Sequence, residues 1–150
     1  MLPRIEETVE IAAPLETVWA VAQDVESFPE FMPDVRSLKV LERSPDGLRT
    51  VTEWEGIIKE FKRTVRWTEE DVWDPQARTC AFRMLRGDFD SYEGLWTFTE
   101  EDGKVRFHCV VDYEYDVPLI GPLIKNIVAL KMKQNAANIL QAIKARAESR

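Results

Sequence analysis

The chain has 150 residues, 45% of them hydrophobic and 31% charged, which suits one globular domain able to bury about two-thirds of its unfolded surface. A formal charge of −7 argues against direct nucleic-acid binding, which needs a basic footprint. No apolar run approaches the ~20 residues of a membrane span, and Met1–Glu7 lacks the basic start and apolar stretch of a secretory leader.

Arg4 to Ile11 alternates, with Ile5, Val9 and Ile11 on one face and Arg4, Glu6, Thr8 and Glu10 on the other, as in a half-buried strand. Pro14 then stands at a helix start, where its missing N–H costs nothing, and Leu15, Val18, Trp19, Ala22 and Val25 follow at helical spacing. Pro29 and Pro33 argue against regular helix in Phe28–Pro33, whose Phe28, Phe31 and Met32 could form either a packed loop or the lip of an opening. Six further strands are expected at 35–43, 48–58, 60–73, 77–85, 89–99 and 104–115. Turns at Ser44–Gly47, Asp74–Pro75, Arg86–Asp88 and Glu101–Lys104 separate most of them, so sequence neighbours should pair antiparallel. The boundary near Lys59 carries no breaker. Beyond Gly121–Pro122, Ile124, Val128, Met132, Ala136, Ile139, Leu140, Ile143 and Ala147 recur at three and four. That spacing predicts a helix of about 25 residues, roughly 37 Å long, which must lie across the sheet's apolar face. No repeat or linker divides the chain.

Ala12–Trp19, Asp24 and Phe28–Pro33, then Gly94–Phe98, Asp102–Gly103 and the strand ending near Pro118, resemble the polyketide cyclase/dehydrase group of the START-related superfamily. Coenzyme Q-binding proteins and, more distantly, plant pollen allergens belong to that superfamily. The resemblance spans essentially the whole chain. It implies an α+β helix-grip fold, in which a seven-stranded curved antiparallel sheet wraps around a long C-terminal helix, with two short helices after the first strand. The second short helix would fall around Asp24–Phe28. It also implies a tunnel between sheet and helix for a lipid, quinone, sterol or polyketide, although one fold hosts many activities.

Strand parity nominates the residues that face such a tunnel. Val105, Phe107, Cys109, Val111, Tyr113 and Tyr115 share the apolar face of the last strand. Tyr92, Gly94, Trp96 and Phe98 share one face of the strand before it, and Cys80, Phe82 and Met84 one face of the strand near residue 80. Phe61, Arg63, Val65 and Trp67 fall together, which sets Arg63 among apolar neighbours; Trp54 can be placed on either face. The candidate ligand contacts are therefore Arg63, Trp67, Phe82, Met84, Tyr92, Trp96, Phe107 and Tyr113 from the sheet, and Ile124, Val128 and Asn135 from the helix. Each aromatic has core packing as its plainer reading. A buried Arg63 would need either a protein carboxylate or an anionic or carbonyl-bearing ligand. Asn135, in a line with Lys131 and Asn138, is either solvated shoulder or a polar contact within the tunnel.

Familiar chemistry is missing from the sequence. Its one histidine, His108, lies on a polar strand face, and no cofactor or metal motif occurs. Cys80 and Cys109 read as buried free thiols suited to a reducing cytoplasm. Glu69–Glu70–Asp71 and Asp112/Glu114/Asp116 read as solvated faces. The leading expectation is a carrier or binder of a hydrophobic small molecule; a cyclase or dehydratase using the same tunnel, and a module docking on a large assembly such as the ribosome, are the alternatives. A carrier should show a mostly apolar tunnel, an enzyme convergent polar groups deep inside it, and a docking module a filled core with an apolar patch outside.

Overall fold

The structure, a computed structural model, describes residues 4–58, 62–115 and 122–150, with side chains in the last stretch from residue 125 onward. Strand β1 (Arg4–Ile11) leads into helix α1 (Leu15–Gln23), a 3-10 turn at Val25–Ser27 and a short helix α2 (Phe28–Phe31). Strands β2 (Val35–Arg43), β3 (Arg49–Ile58), β4 (Arg63–Asp74), β5 (Thr79–Gly87), β6 (Ser91–Glu101) and β7 (Lys104–Glu114) follow, and helix α3 (Pro122–Glu148) ends the chain. All pairings are antiparallel, in the order β1-β7-β6-β5-β4-β3-β2. Only β1 pairs out of sequence order, closing onto β7 with Ile5 opposite Val111 and Ile11 opposite Val105. This is the expected helix-grip arrangement. The break expected near Lys59, the inward placing of Phe61 and the side chain of Ile124 lie outside the described residues.

One expectation needs correcting. Phe28–Phe31 is helical despite Pro29, because the proline sits in the first turn, where a helix leaves its N–H groups without internal partners. Asp102 and Gly103, with φ of 52° and 78°, form the tight β6–β7 turn that Asp-Gly predicts.

Helix α3 is seated firmly at its C-terminal end. Leu140, Ile143 and Ala147 are fully buried, and the helix packs against β1 and α1. Burying each of the two larger side chains stabilises by about 1.5–3 kcal/mol. Lys144 Nζ donates to the Glu10 carbonyl (2.6 Å) and to Glu148 Oε2 (2.8 Å), and that carboxylate also accepts the Ala12 N–H (2.8 Å). Rings fill the space beneath. Trp19 meets Trp73 and Phe98 edge-on at 5.4 and 5.7 Å, and Phe98 stacks on Phe107 at 4.4 Å. Earlier along the helix, Met132, Asn135, Ala136 and Ile139 are only half-buried and stand over open space instead.

Gly94 lets β5 and β6 close over that space. It pairs with Phe82, and a Cβ there would run into the Val110 carbonyl oxygen and stand 2.5 Å from the Phe82 ring. Gly94→Ala should destabilise the fold by about 1–3 kcal/mol, read as a lower midpoint in urea unfolding at an unchanged slope.

Candidate ligand cavity

Side chains leave a cavity of about 100 Å³ between the sheet and the middle of α3. Strand β4 crosses its floor. A strand turns alternate residues to one face, so Val65, Trp67, Glu69, Asp71 and Trp73 all line the cavity, while Arg66 and Val72 are exposed on the other side. Trp54 and Ile58 join from β3, Cys80 and Phe82 from β5, Tyr92 and Trp96 from β6, and Cys109 and Val111 from β7. Phe89, from the β5–β6 turn, closes one end. At the mouth stand half-buried Val25, Asp34, Ile57, Asn135, Ala136 and Ile139. Asp34 ties three elements together there. Its carbonyl accepts the Ile57 N–H (3.1 Å), and its carboxylate accepts Asn138 Nδ2 (2.9 Å) and, with the Asn135 amide oriented to satisfy its neighbours, Asn135 as well (3.3 Å).

The floor carries two buried acids. Glu69 and Asp71 are only 3% and 6% exposed, which overturns their reading as a solvated face. Of the three consecutive acids only Glu70 points outward, where Arg49 (2.6 Å) and Arg83 (3.0 Å) bind it. Inside, Trp67 Nε1 donates to Glu69 Oε1 at 2.7 Å. Thr52 and Thr50 donate to Asp71 Oδ2 at 2.7 and 3.3 Å, and Trp54 Nε1 donates to the Thr52 hydroxyl at 2.9 Å. Among the described residues no lysine, arginine or histidine lines the cavity, and no group of side chains suits a metal ion.

Burial therefore dominates their titration. It raises the Glu69 carboxyl well above the usual range, and the Asp71 charge and a hydrogen bond with Asp71 push it further. Burial also raises Asp71, but hydrogen bonds from Glu69, Thr52 and Thr50 oppose it. Both carboxyls are therefore harder to ionise than free ones, Glu69 the more so. Burial, then the neighbouring acids, lift the Tyr92 phenol well above its ordinary value. Burial also holds the Cys80 thiol neutral and pushes Cys109 up to about 12, and both cysteines are free.

Of the expected contacts, Trp67, Phe82, Tyr92, Trp96 and Asn135 line the cavity. Phe107, Tyr113 and Val128 are buried, and Met84 is half-buried beside Ile58, Val65 and Phe89, but none of the four reaches the cavity surface. Arg63 is exposed: it begins β4, where an inward-facing parity position lies at the sheet's rim rather than under the helix. Trp54 faces inward. Phe28 and Met32 are core residues rather than a lip, with Phe28 packed on Trp54 at 6.0 Å. His108 is outside, bonded to Thr8 at 2.7 Å. Parity alone would have found the missed acids, since Trp67, Glu69, Asp71 and Trp73 continue the face already assigned to Val65. Phe89 left no such signal, because it reaches the cavity from a turn.

The acid pair makes stability depend on pH in a definite direction. The folded chain binds more protons than the unfolded one between the ordinary glutamate range and the raised Glu69 value, so stability falls as pH rises through that window. Glu69→Gln, which mimics the protonated acid, should flatten this decline, as read by denaturant unfolding from about pH 5 to about pH 8. An unchanged slope in the variant would count against a buried neutral Glu69.

The family profile described as "Polyketide cyclase / dehydrase and lipid transport" matches residues 11–143. TTHA0849 from Thermus thermophilus is 32% identical and superposes with a TM-score of 0.90, over 98% of both chains. The Zhui aromatase/cyclase from Streptomyces sp. R1128 has a TM-score of 0.90 at 21% identity, over 100% of this chain and 96% of its own. The ribosome association toxin RatA of Escherichia coli K12 is 24% identical over 99% of this chain and 89% of its own length. With the sheet, the helix and the cavity, these matches mean that the chain belongs to the polyketide cyclase/dehydrase and lipid transport family.

Proposed function

We propose that the chain acts as one domain that binds an apolar small molecule, of lipid, quinone or polyketide-like character, between the sheet and α3. The cavity carries this reading. A space of about 100 Å³ lowers stability by on the order of 2 kcal/mol unless something fills it, yet its walls are large rings that could have packed. Trp67, Phe82, Tyr92 and Trp96 would cover the apolar body, contributing about 25 cal/mol per Å² buried before ordering costs. Asn135 would meet the ligand at the mouth. The neutral buried thiols support residence in a reducing compartment such as the cytoplasm.

Two further readings each have an observation behind them. Convergent acids deep in the cavity favour cyclase or dehydratase chemistry, in which neutral Glu69 would give its proton to a ligand carbonyl. A stripe across the outer face of the sheet, Val72 (45% exposed), Ala81, Leu95 (40% exposed) and Val110 in register, favours a protein partner. RatA's name joins that relative to the ribosome, which fits the same reading.

Native mass spectrometry of the purified protein, followed by extraction, tests the cavity readings against the outer stripe. The expected result is one apolar molecule bound, or taken up from a panel of quinones, long-chain alcohols and aromatic polyketides. Ala136→Trp, which puts an indole into the mouth, should weaken uptake by about tenfold or more. A bare protein that takes up nothing would overturn the cavity reading and favour the outer stripe.

A further inference from the structure

Resting on the cavity reading, we infer that the mouth carries a gate: Asp34 and the amides of Asn135 and Asn138 form a polar bar across it, and a ligand passes when those bonds let go. The bar joins a fixed post to the helix. Pro33 stands second in a turn from Met32 to Val35, a position that suits its fixed backbone angle, and the Val35 N–H donates to the Met32 carbonyl at 3.1 Å. Met32 and Val35 are buried, and the Asp34 carbonyl accepts the Ile57 N–H, so the turn is fastened to both core and sheet. From that turn the Asp34 side chain reaches α3. Its Oδ2 accepts Asn138 Nδ2 at 2.9 Å and, in the orientation that satisfies its neighbours, the Asn135 amide at 3.3 Å.

Three features make this bar a gate and not a second anchor. The first is position: Asp34 and Asn135 line the cavity while Asn138 is exposed, so the bonds run from the inner wall out to solvent. The second is chemistry. Val25, Ile57, Ala136 and Ile139 border the same opening, yet a carboxylate and two amides cross it, and bonds within reach of water exchange readily for bonds to water. The third is spacing. Asn135 and Asn138 lie three apart on one helix face and share one acceptor oxygen, so either amide can release while the other holds. The surroundings stay in place meanwhile. Trp54 is stacked on Trp67 at 5.5 Å and packed on Phe28, and Leu140, Ile143 and Ala147 hold the far end of α3. Such a gate raises the barrier to entry and exit alike, and so sets the exchange rate without setting affinity.

Stopped-flow tryptophan fluorescence with 2-naphthol as the probe reads both rates on the full chain. Asp34→Ala and Asn138→Ala should each speed association and dissociation by about threefold to tenfold, with Kd within about twofold of wild type. The double variant should match Asp34→Ala, because both lack the same bonds. Asp34→Asn, whose side-chain oxygen still accepts, should keep rates near wild type. Asn138 is exposed, so its variant carries the test if a change at Asp34 disturbs the turn. Binding at unchanged rates in both alanine variants overturns the gate and leaves the cavity reading standing. A change in one rate alone, with Kd moving to match, makes Asp34 a ligand contact and overturns the gate equally. A wild-type chain that binds neither 2-naphthol nor any member of the panel above overturns the cavity reading and the gate together.

Discussion

The long helix is fastened to the rest of the molecule at one end, and the other features of the cavity follow from that. Leu140, Ile143 and Ala147 sit without gaps against β1 and α1, and Lys144 and Glu148 fix the helix to the end of β1. Beyond that anchor, α3 spans the curved sheet, and Met132, Asn135 and Ala136 stand over space. The anchored end is filled by interlocked aromatic rings, whereas the other keeps a cavity whose mouth is held by Asp34, Ile57, Asn135 and Asn138. A strong anchor lets the cavity persist, because its cost is borne by contacts elsewhere.

The acids on β4 turn that space from an apolar hole into a site with a sign. Two carboxyls two residues apart on one strand face cannot both lose their protons cheaply in such surroundings. Trp67 and the relay from Trp54 through Thr52 orient them, so each of these two indoles serves as both wall and hydrogen-bond donor. The stacking of Trp54 on Trp67 at 5.5 Å joins the two supports. The pair gives the cavity wall a polarity that its rings alone would lack.

Much of the architecture is legible in the sequence because it rests on periodicity. Alternation locates every strand to within a few residues, and the three-four recurrence beyond Pro122 locates α3. The site is less legible, for two physical reasons. Charge suggests solvent at Glu69 and Asp71, whereas parity, shared with the flanking Trp67 and Trp73, decides their face. At Arg63 parity itself misleads, since facing inward means little at the rim of a sheet. Phe107 and Tyr113 show a third limit: an alternating pattern tells inside from outside, but not packed core from open cavity.

The most direct test of the cavity as a ligand site uses the chain's five tryptophans as reporters. Indole N–H signals would be followed by NMR while a small apolar ligand is titrated in. Trp54 and Trp67 line the cavity, whereas Trp19 is packed against Trp73 and Phe98 at the anchored end. The account predicts saturable shifts at Trp54 and Trp67 with Trp19 nearly unmoved. Shifts at Trp19 as large as those at Trp54 and Trp67, or none at any indole, would contradict it.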